Sequence, residues 1–229
     1  MIRFRDVTKK FPDETVALSA VSLVINDNEF VFLVGPSGAG KTTFLRLILG
    51  DFSPSSGQIE IDGQDITKLK GNPLVELRRS IGFVFQDLKL LADRNLFENV
   101  ALSLEILGRS SREIKKEVGE ALEKVGLSNQ MNSFPSQMSG GELQRVALAR
   151  AICGQPKYIL ADEPTGNVDP ANAWSIIRIL EDVNLGGTKV IMATHNSEVV
   201  DSLNKRVVRI ESGKIISDQE GGKYHVYQN

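Results

Sequence analysis

The chain is poor in cysteine, in net charge and in long apolar runs, and each shortage removes a class of protein. Cys153 is the single cysteine, so no internal disulfide can form, and a reducing compartment is the simple expectation. The 27 Lys and Arg residues against 29 Asp and Glu leave a formal charge of −2. That balance lacks the cationic excess by which proteins hold nucleic-acid backbones, because such affinity scales with the phosphates neutralised; nucleic acid is not expected as a main partner. No window approaches the roughly 18 uncharged apolar residues that span a bilayer. The start, Met1-Ile2-Arg3-Phe4-Arg5-Asp6, has charges where a secretory signal needs an apolar stretch. A soluble chain is expected, with membrane contact only through a partner. Proline is scarce, at 8, and no linker of Pro, Ser and Gly divides the chain.

What is present is an ordinary globular composition, 41% hydrophobic with 20 Gly over 229 residues, which excludes disorder. A chain of this length buries roughly 70–75% of its unfolded surface without metals or disulfides to staple it. Val21 to Ile25 and Gln58 to Ile61, the latter before a turn at Asp62-Gly63, read as strands of an antiparallel element. Phe30-Val31-Phe32-Leu33-Val34 is an apolar run of strand length, suited to burial on both faces. Leu96, Val100, Leu104 and Leu107, then Ile114, Val118, Leu122 and Val125, recur at helical spacing and suggest a helical lobe at about 87–137. From there the pattern alternates: helix Gly141 to Ile152, strand Tyr158 to Ala161, helix about Ala173 to Leu185, strand Val190 to Ala193, helix near Ser197 to Leu203. That order implies a parallel sheet with helices packed on it. A hairpin, Arg206 to Ile210 and Lys214 to Ser217, closes the fold, and the polar tail after Gln219 reads as loose.

Gly35-Pro36-Ser37-Gly38-Ala39-Gly40-Lys41-Thr42 fits G-x-x-x-x-G-K-[ST], with Thr43 beside it. Glycines let the backbone bend around phosphate oxygens, successive N–H groups point inward, and the next helix presents its positive end. In that motif Lys41 reaches the β- and γ-phosphates, and the Thr42 hydroxyl ligates Mg2+. Tyr158-Ile159-Leu160-Ala161-Asp162-Glu163 delivers two carboxylates at a strand's C-terminal end, where ligands of open α/β sheets bind. Asp162 is the candidate for Mg2+, and Glu163 for orienting or deprotonating water. These two elements alone allow a GTPase, a small-molecule kinase or several ATPases.

Ser139-Gly140-Gly141-Glu142, opening the helix Leu143 to Arg150, discriminates among them. Ser139 and Glu142 have capping-box spacing, and the glycines bare a helix N-terminus to an anion. With the phosphate loop and the acidic pair, the chain resembles the ATP-binding cassette (ABC) ATPase family over nearly its whole length. Met138 replaces the Leu of that family's L-S-G-G-[QE] signature. The resemblance implies an α/β P-loop NTPase of the ABC nucleotide-binding type, with a parallel-sheet core, an N-terminal antiparallel β element and a helical subdomain at about 87–137 inserted in a RecA-like core. It makes 1–229 a single domain, with ATP and Mg2+ as its ligands. Gln86, ending a strand read at Ile81 to Phe85, corresponds to the loop glutamine that touches Mg2+ or water, His195 to the switch histidine on the γ-phosphate, and Asp169 to the loop crossing the dimer interface. Phe11 matches the aromatic that stacks on adenine, and it equally fits a core position. Ser139 to Gly141 would bind the γ-phosphate held by another copy, so one phosphate loop and one signature per chain imply a head-to-tail homodimer around two ATP molecules.

Within the family, Phe85-Gln86-Asp87-Leu88-Lys89-Leu90-Leu91-Ala92-Asp93-Arg94 and the following Asn99-Val100-Ala101-Leu102 look like the cell-division ATPases. Lipoprotein-releasing and macrolide-export ATPases share Ala161 to Asn167, so that segment does not separate the alternatives. The likeness implies an integral membrane partner of four helices, moved by dimer closure so as to activate peptidoglycan hydrolases outside the membrane. The chain would then be peripheral on the cytoplasmic face, at the division site. Residues 88–97 are candidates for docking that partner through Leu90, Leu91 and Leu96, and these leucines equally suit the core of the lobe. The run Arg109 to Glu117 interleaves its cations with Glu113 and Glu117 and reads as a solvated helix face.

Overall fold

The structure is a computed structural model describing residues 1–166 and 168–224. The chain condenses into two compact units, Met1–Arg78 with the segment from Lys189 onward, and Arg79–Thr188.

The first unit begins with β1 (Ile2–Lys10), β2 (Val16–Ile25), β3 (Phe30–Val34), α1 (Lys41–Ile48), β4 (Ser56–Ile61), β5 (Gln64–Asp65) and α2 (Asn72–Arg79). The second holds β6 (Ile81–Val84), α3 (Leu96–Ile106), α4 (Ser111–Lys124), two single 3-10 turns, α5 (Gly140–Ile152), β7 (Tyr158–Asp162) and α6 (Pro170–Leu185). The chain then returns to the first unit with β8 (Lys189–Ala193), α7 (Ser197–Ser202), β9 (Arg206–Glu211) and β10 (Lys214–Gln219).

In the first unit β2, β1, β4 and β5 form an antiparallel sheet in that order. Its register pairs Ile2 with Ile25 and Ile61, and Phe4 with Leu23 and Ile59, so period-two alternation gathers these buried side chains on one face. The Phe4 ring stacks on Phe44 of α1 at 4.3 Å, joining this sheet to the phosphate-loop helix. β3 lies between β8 and β9, parallel to both. Every residue of β3 is buried, as its unbroken apolar run requires. β9 and β10 pair antiparallel around Ser212 and Gly213, both at positive φ (46° and 75°), as are Asp62 and Gly63 between β4 and β5. Two successive left-handed residues match the right-handed twist of the strands a hairpin joins.

In the second unit β6 and β7 run parallel, with Gly82 facing Ile159 across the pair. A Cβ on Gly82 would stand 2.0 Å from the Ala151 carbonyl oxygen, so this glycine lets α5 pack onto the strand. Three helices start with reciprocal capping boxes: Asn95 with Glu98, Ser110 with Glu113, and Ser139 with Glu142. The cationic run at 109–117 is a solvated face with spaced ion pairs, Arg109–Glu113 at 3.8 Å and Lys116–Glu120 at 3.8 Å. Cys153 is buried, and desolvation pushes its thiol up to about 11.

Several boundaries differ from the sequence expectation, for local reasons. α6 begins at Pro170 because Asp169 caps it and proline suits a first helical turn. β6 stops at Val84, two residues before Gln86. The loose tail expected after Gln219 is held as far as Tyr224, whose N–H donates to Asp201 Oδ1 at 2.7 Å, while Lys223 Nζ donates to the Asp201 carbonyl. The rest of that tail, with His225, and Asn167 of the segment shared with related ATPases, lie outside the described residues.

Candidate functional site

The phosphate loop of the first unit is shaped by backbone conformations that exclude side chains. Gly35, Gly38 and Gly40 have φ of 146°, 75° and 110°. A Cβ at Gly35 would lie 2.0 Å from the Ile210 carbonyl oxygen, and one at Gly40 would lie 2.4 Å from that of Ala17. The β9–β10 turn presses on the loop as well: Gly213 N–H donates to the Ala39 carbonyl at 3.1 Å. Lys41 is buried, and its Nζ donates to the carbonyls of Gly35 at 2.7 Å and Pro36 at 3.1 Å. Gly40 caps α1 without a side-chain hydrogen bond, so no side chain closes the helix's first N–H groups. Pro36, Ser37 and Gly38 are exposed, and Thr42 and Thr43 are half-buried in the first turn of α1.

Two more predicted residues belong to this unit. Phe11 follows β1 and is half-buried. Its ring meets Phe52 edge-on at 5.3 Å, and the Lys9 ammonium stands 5.2 Å from its centroid. His195 is exposed just beyond β8, between buried Thr194 and Asn196. Asn196 Oδ1 accepts from Val199 N–H at 3.2 Å and caps α7, while Asn196 N–H donates to Thr194 Oγ1 at 3.0 Å.

The second unit carries the other candidates. Asp162, only 4% exposed, ends a strand whose residues are all buried. Glu163 then turns the chain with φ of 51° and is half-buried; a left-handed non-glycine residue stores strain of the kind that gathers at functional sites. Gly166 N–H donates back to the Glu163 carbonyl at 3.0 Å and closes that turn. Gln86 is exposed past the end of β6.

At the signature, Ser139 Oγ accepts from Glu142 N–H at 3.4 Å, and Glu142 Oε2 accepts from Ser139 N–H at 2.9 Å. Gln130 Nε2 donates to the other Glu142 oxygen at 2.9 Å. The Ser139 hydroxyl also donates to Glu142 Oε2 at 2.7 Å, and these donors, that hydroxyl foremost, hold the Glu142 carboxyl below the usual range. A Cβ on Gly140 would meet nothing within 4 Å, whereas one on Gly141 would lie 2.8 Å from Asn172 Nδ2. Asn172 of α6 ties the start of its own helix to α5: its N–H donates to Asp169 Oδ1 at 3.0 Å, its Nδ2 to Asp169 Oδ2, and its Oδ1 accepts from Arg145 of α5. Asp169 is thereby the exposed cap of α6, its carboxyl lowered chiefly by the Asn172 side chain.

Among the docking candidates, Leu96 is fully buried and belongs to the core of the lobe, Leu90 is half-buried, and Leu91 is 41% exposed. Sequence reasoning missed Asn172, Asn99 and Arg150: Arg150 and Asn172 reach partners 61 or 62 and 27 positions away, and Asn99 folds back on backbone four to eight residues earlier, which no residue spacing announces.

The ABC transporter family model matches residues 18–166. The chain belongs to the ABC transporter family and is an ATP-hydrolysing cassette of it. Among curated relatives it is 46% identical to the cell division ATP-binding protein FtsE of Streptococcus pneumoniae serotype 2 over 224 residues, covering 98% of this chain and 97% of that one. It is 46% identical to FtsE of Bacillus subtilis strain 168 over 227 residues, covering 99% and 100%. A solved dimeric structure of MJ0796, a bacterial ABC transporter cassette, superposes with a TM-score of 0.90 at 35% identity, covering 99% of this chain and 100% of that one. The same cassette in a post-hydrolysis state bound to ADP and Pi gives 0.89 at 34% identity, with the same coverage.

Proposed function

We propose that this chain is the ATP-binding and ATP-hydrolysing subunit of a cell-division complex, and that ATP-driven pairing of two copies moves an integral membrane partner resembling FtsX. The phosphate loop is the observation that carries the reading. Three glycines at positive φ and two blocked Cβ positions build a cradle of backbone N–H groups, and such a cradle suits a polyphosphate. Lys41 Nζ, held by two loop carbonyls, exchanges these for the β- and γ-phosphate oxygens. Full-length likeness to FtsE proteins supports the cell-division role. Among the described residues no helix is long and apolar enough to cross a membrane. Likeness to FtsE proteins supports a peripheral subunit on the cytoplasmic face whose membrane contact runs through its partner.

Each candidate residue takes one role. Phe11 stacks on adenine with the part of its ring that Phe52 leaves open. The Thr42 hydroxyl, the Asp162 carboxylate and the Gln86 carboxamide offer hard oxygen donors, the set that suits Mg2+, which keeps few protein ligands beside substrate phosphates. When bound, that ion neutralises charge on the phosphates. Glu163 accepts a proton from water as the water oxygen bonds to the γ-phosphorus and the bond from that phosphorus to the bridging oxygen breaks, so that ADP leaves with the bridging oxygen; His195 donates to the γ-phosphate. Ser139, Gly140, Gly141 and Glu142 present an open helix start to the γ-phosphate of a second copy, with Asp169 beside it.

ATP is strong enough to govern pairing. A ligand at about 100 times its dissociation constant stabilises the state that binds it by roughly 2.7 kcal/mol per site. Glu163→Gln should lower turnover by about 100-fold or more and accumulate an ATP-bound dimer in light scattering. A variant that stays monomeric at saturating ATP and Mg2+ would overturn the paired reading.

A further inference from the structure

The segment after Gln86 holds an unusual pair of backbone conformations. Leu88 and Lys89 are consecutive, neither is glycine, and their φ angles are 57° and 49°. Left-handed residues with side chains persist only where their surroundings over-determine them. Local bonds do part of this: Leu88 N–H donates to the Phe85 carbonyl at 3.0 Å and Lys89 N–H to that of Asp87 at 2.6 Å.

The rest comes from α5. Arg150, in the last turn of the signature helix, sends one guanidinium nitrogen to the Lys89 carbonyl at 2.6 Å and the other to the Leu88 carbonyl. Among the described residues no carboxylate pairs with this guanidinium, and desolvation lowers its pKa. A half-buried cation is thus committed to two backbone oxygens. The fork of the guanidinium spans both, which an ammonium cannot do.

Downstream the chain is pinned a second time. Asn99 is fully buried; its Oδ1 accepts from Leu91 N–H at 2.8 Å, and its Nδ2 donates to the carbonyls of Leu91, Arg94 and Asn95 at 3.0, 2.9 and 3.0 Å. Between β6 and α3, then, the backbone is tied by two side chains, while Gln86, Lys89 and Leu91 stay exposed.

We infer that Arg150 is a positioning residue for Gln86: by gripping the carbonyls of Leu88 and Lys89 it fixes the left-handed turn that sets where the Gln86 carboxamide stands. This rests on the reading of Gln86 as a residue that meets Mg2+ or water. Arg150 lies ten positions beyond Gly140 on one helix, so a displacement of the signature helix is carried to Gln86 through two hydrogen bonds.

The test compares wild type with Arg150→Met, Arg150→Lys, Gln86→Ala, and Arg150→Met combined with Leu88→Gly and Lys89→Gly. Amide exchange over residues 86–95 is measured without nucleotide, and ATP turnover is measured across a Mg2+ titration. Arg150→Met should speed exchange at residues 88–90 about tenfold and raise the half-saturating Mg2+ concentration several-fold. Arg150→Lys should fall between it and wild type. The two glycines should restore the Mg2+ dependence, because glycine adopts left-handed backbone without steric cost. Wild-type exchange and Mg2+ dependence in Arg150→Met or in Arg150→Lys would overturn the inference. So would failure of the glycines to restore Mg2+ dependence, since Arg150 would then matter only to the packing of α5. If Gln86→Ala leaves the Mg2+ dependence unchanged, the reading of Gln86 itself falls, whatever the exchange at residues 88–90 shows.

Discussion

The phosphate loop and the signature turn are both glycine-bearing entries to a helix, yet they are built on opposite principles. At the loop, glycine is demanded from inside: φ is positive, and backbone oxygens occupy the space a Cβ would need at Gly35 and Gly40. No side chain caps α1, and Lys41 satisfies the loop carbonyls. At the signature neither glycine has positive φ, a full capping box closes α5, and Gly140 opens on free space. One turn forms a cradle by the course of its own backbone. The other is complete in itself and keeps an open surface for something outside.

The largest effect should come from breaking the loop. Gly35→Ala sets a methyl against the Ile210 carbonyl in a left-handed conformation, and should cost about 3 kcal/mol or more in chemical denaturation, with loss of nucleotide binding. Gly140→Ala should do the reverse: a better helix former in open space stabilises by about 0.5–1 kcal/mol, while ATP-dependent pairing in light scattering weakens. If both substitutions destabilise equally, the contrast between the two turns is wrong.

Ser139→Ala removes the cap of α5 and should cost about 1 kcal/mol. It also tests electrostatics. Because the folded Glu142 carboxyl is held below its ordinary value, its contribution is full above the unfolded pKa of about 4.3 and is lost as pH falls through the folded value. In Ser139→Ala the Glu142 titration followed by NMR should move up toward the ordinary value, and the acid-side loss of stability should shrink.

The smallest effect concerns the interior of α5. Gln144 is 4% exposed, and its Nε2 has no hydrogen-bond partner among the described residues. Gln144→Leu should be neutral or stabilise by up to about 1 kcal/mol in thermal melts; a loss above that would mean that the amide has a partner in solution.

Much of the fold was legible where period and punctuation agreed. The apolar runs at 30–34 and 158–161, the helical spacings at 96–107 and 114–125, and the hairpin turns at Asp62-Gly63 and Ser212-Gly213 all lie where expected. β1 was not legible. Asp6, at φ of 48°, sits where the register shifts between Phe4 and Val7, so Ile2, Phe4 and Val7 are buried out of a two-residue period. α2 buries only Leu77, and its eight residues are fewer than the window over which a helical period is read. At the site, residue types and spacing named the loop, the acidic pair and the signature, because their chemistry uses contiguous backbone.

By itself, the sequence determined the chemistry: a phosphate cradle, a carboxylate pair after a buried strand, and a capped helix entry, each carried by a few neighbouring residues whose conformations are locally set. Only the tertiary structure decided how these parts are held. It sent Leu96 inward and left Leu91 exposed, lodged Asn172 against Gly141, and brought the Arg150 guanidinium to carbonyls 61 and 62 positions earlier. Hydrogen bonds to a distant backbone leave no periodic trace along the chain, since any arginine at the end of a helix reads the same until the fold supplies its acceptors.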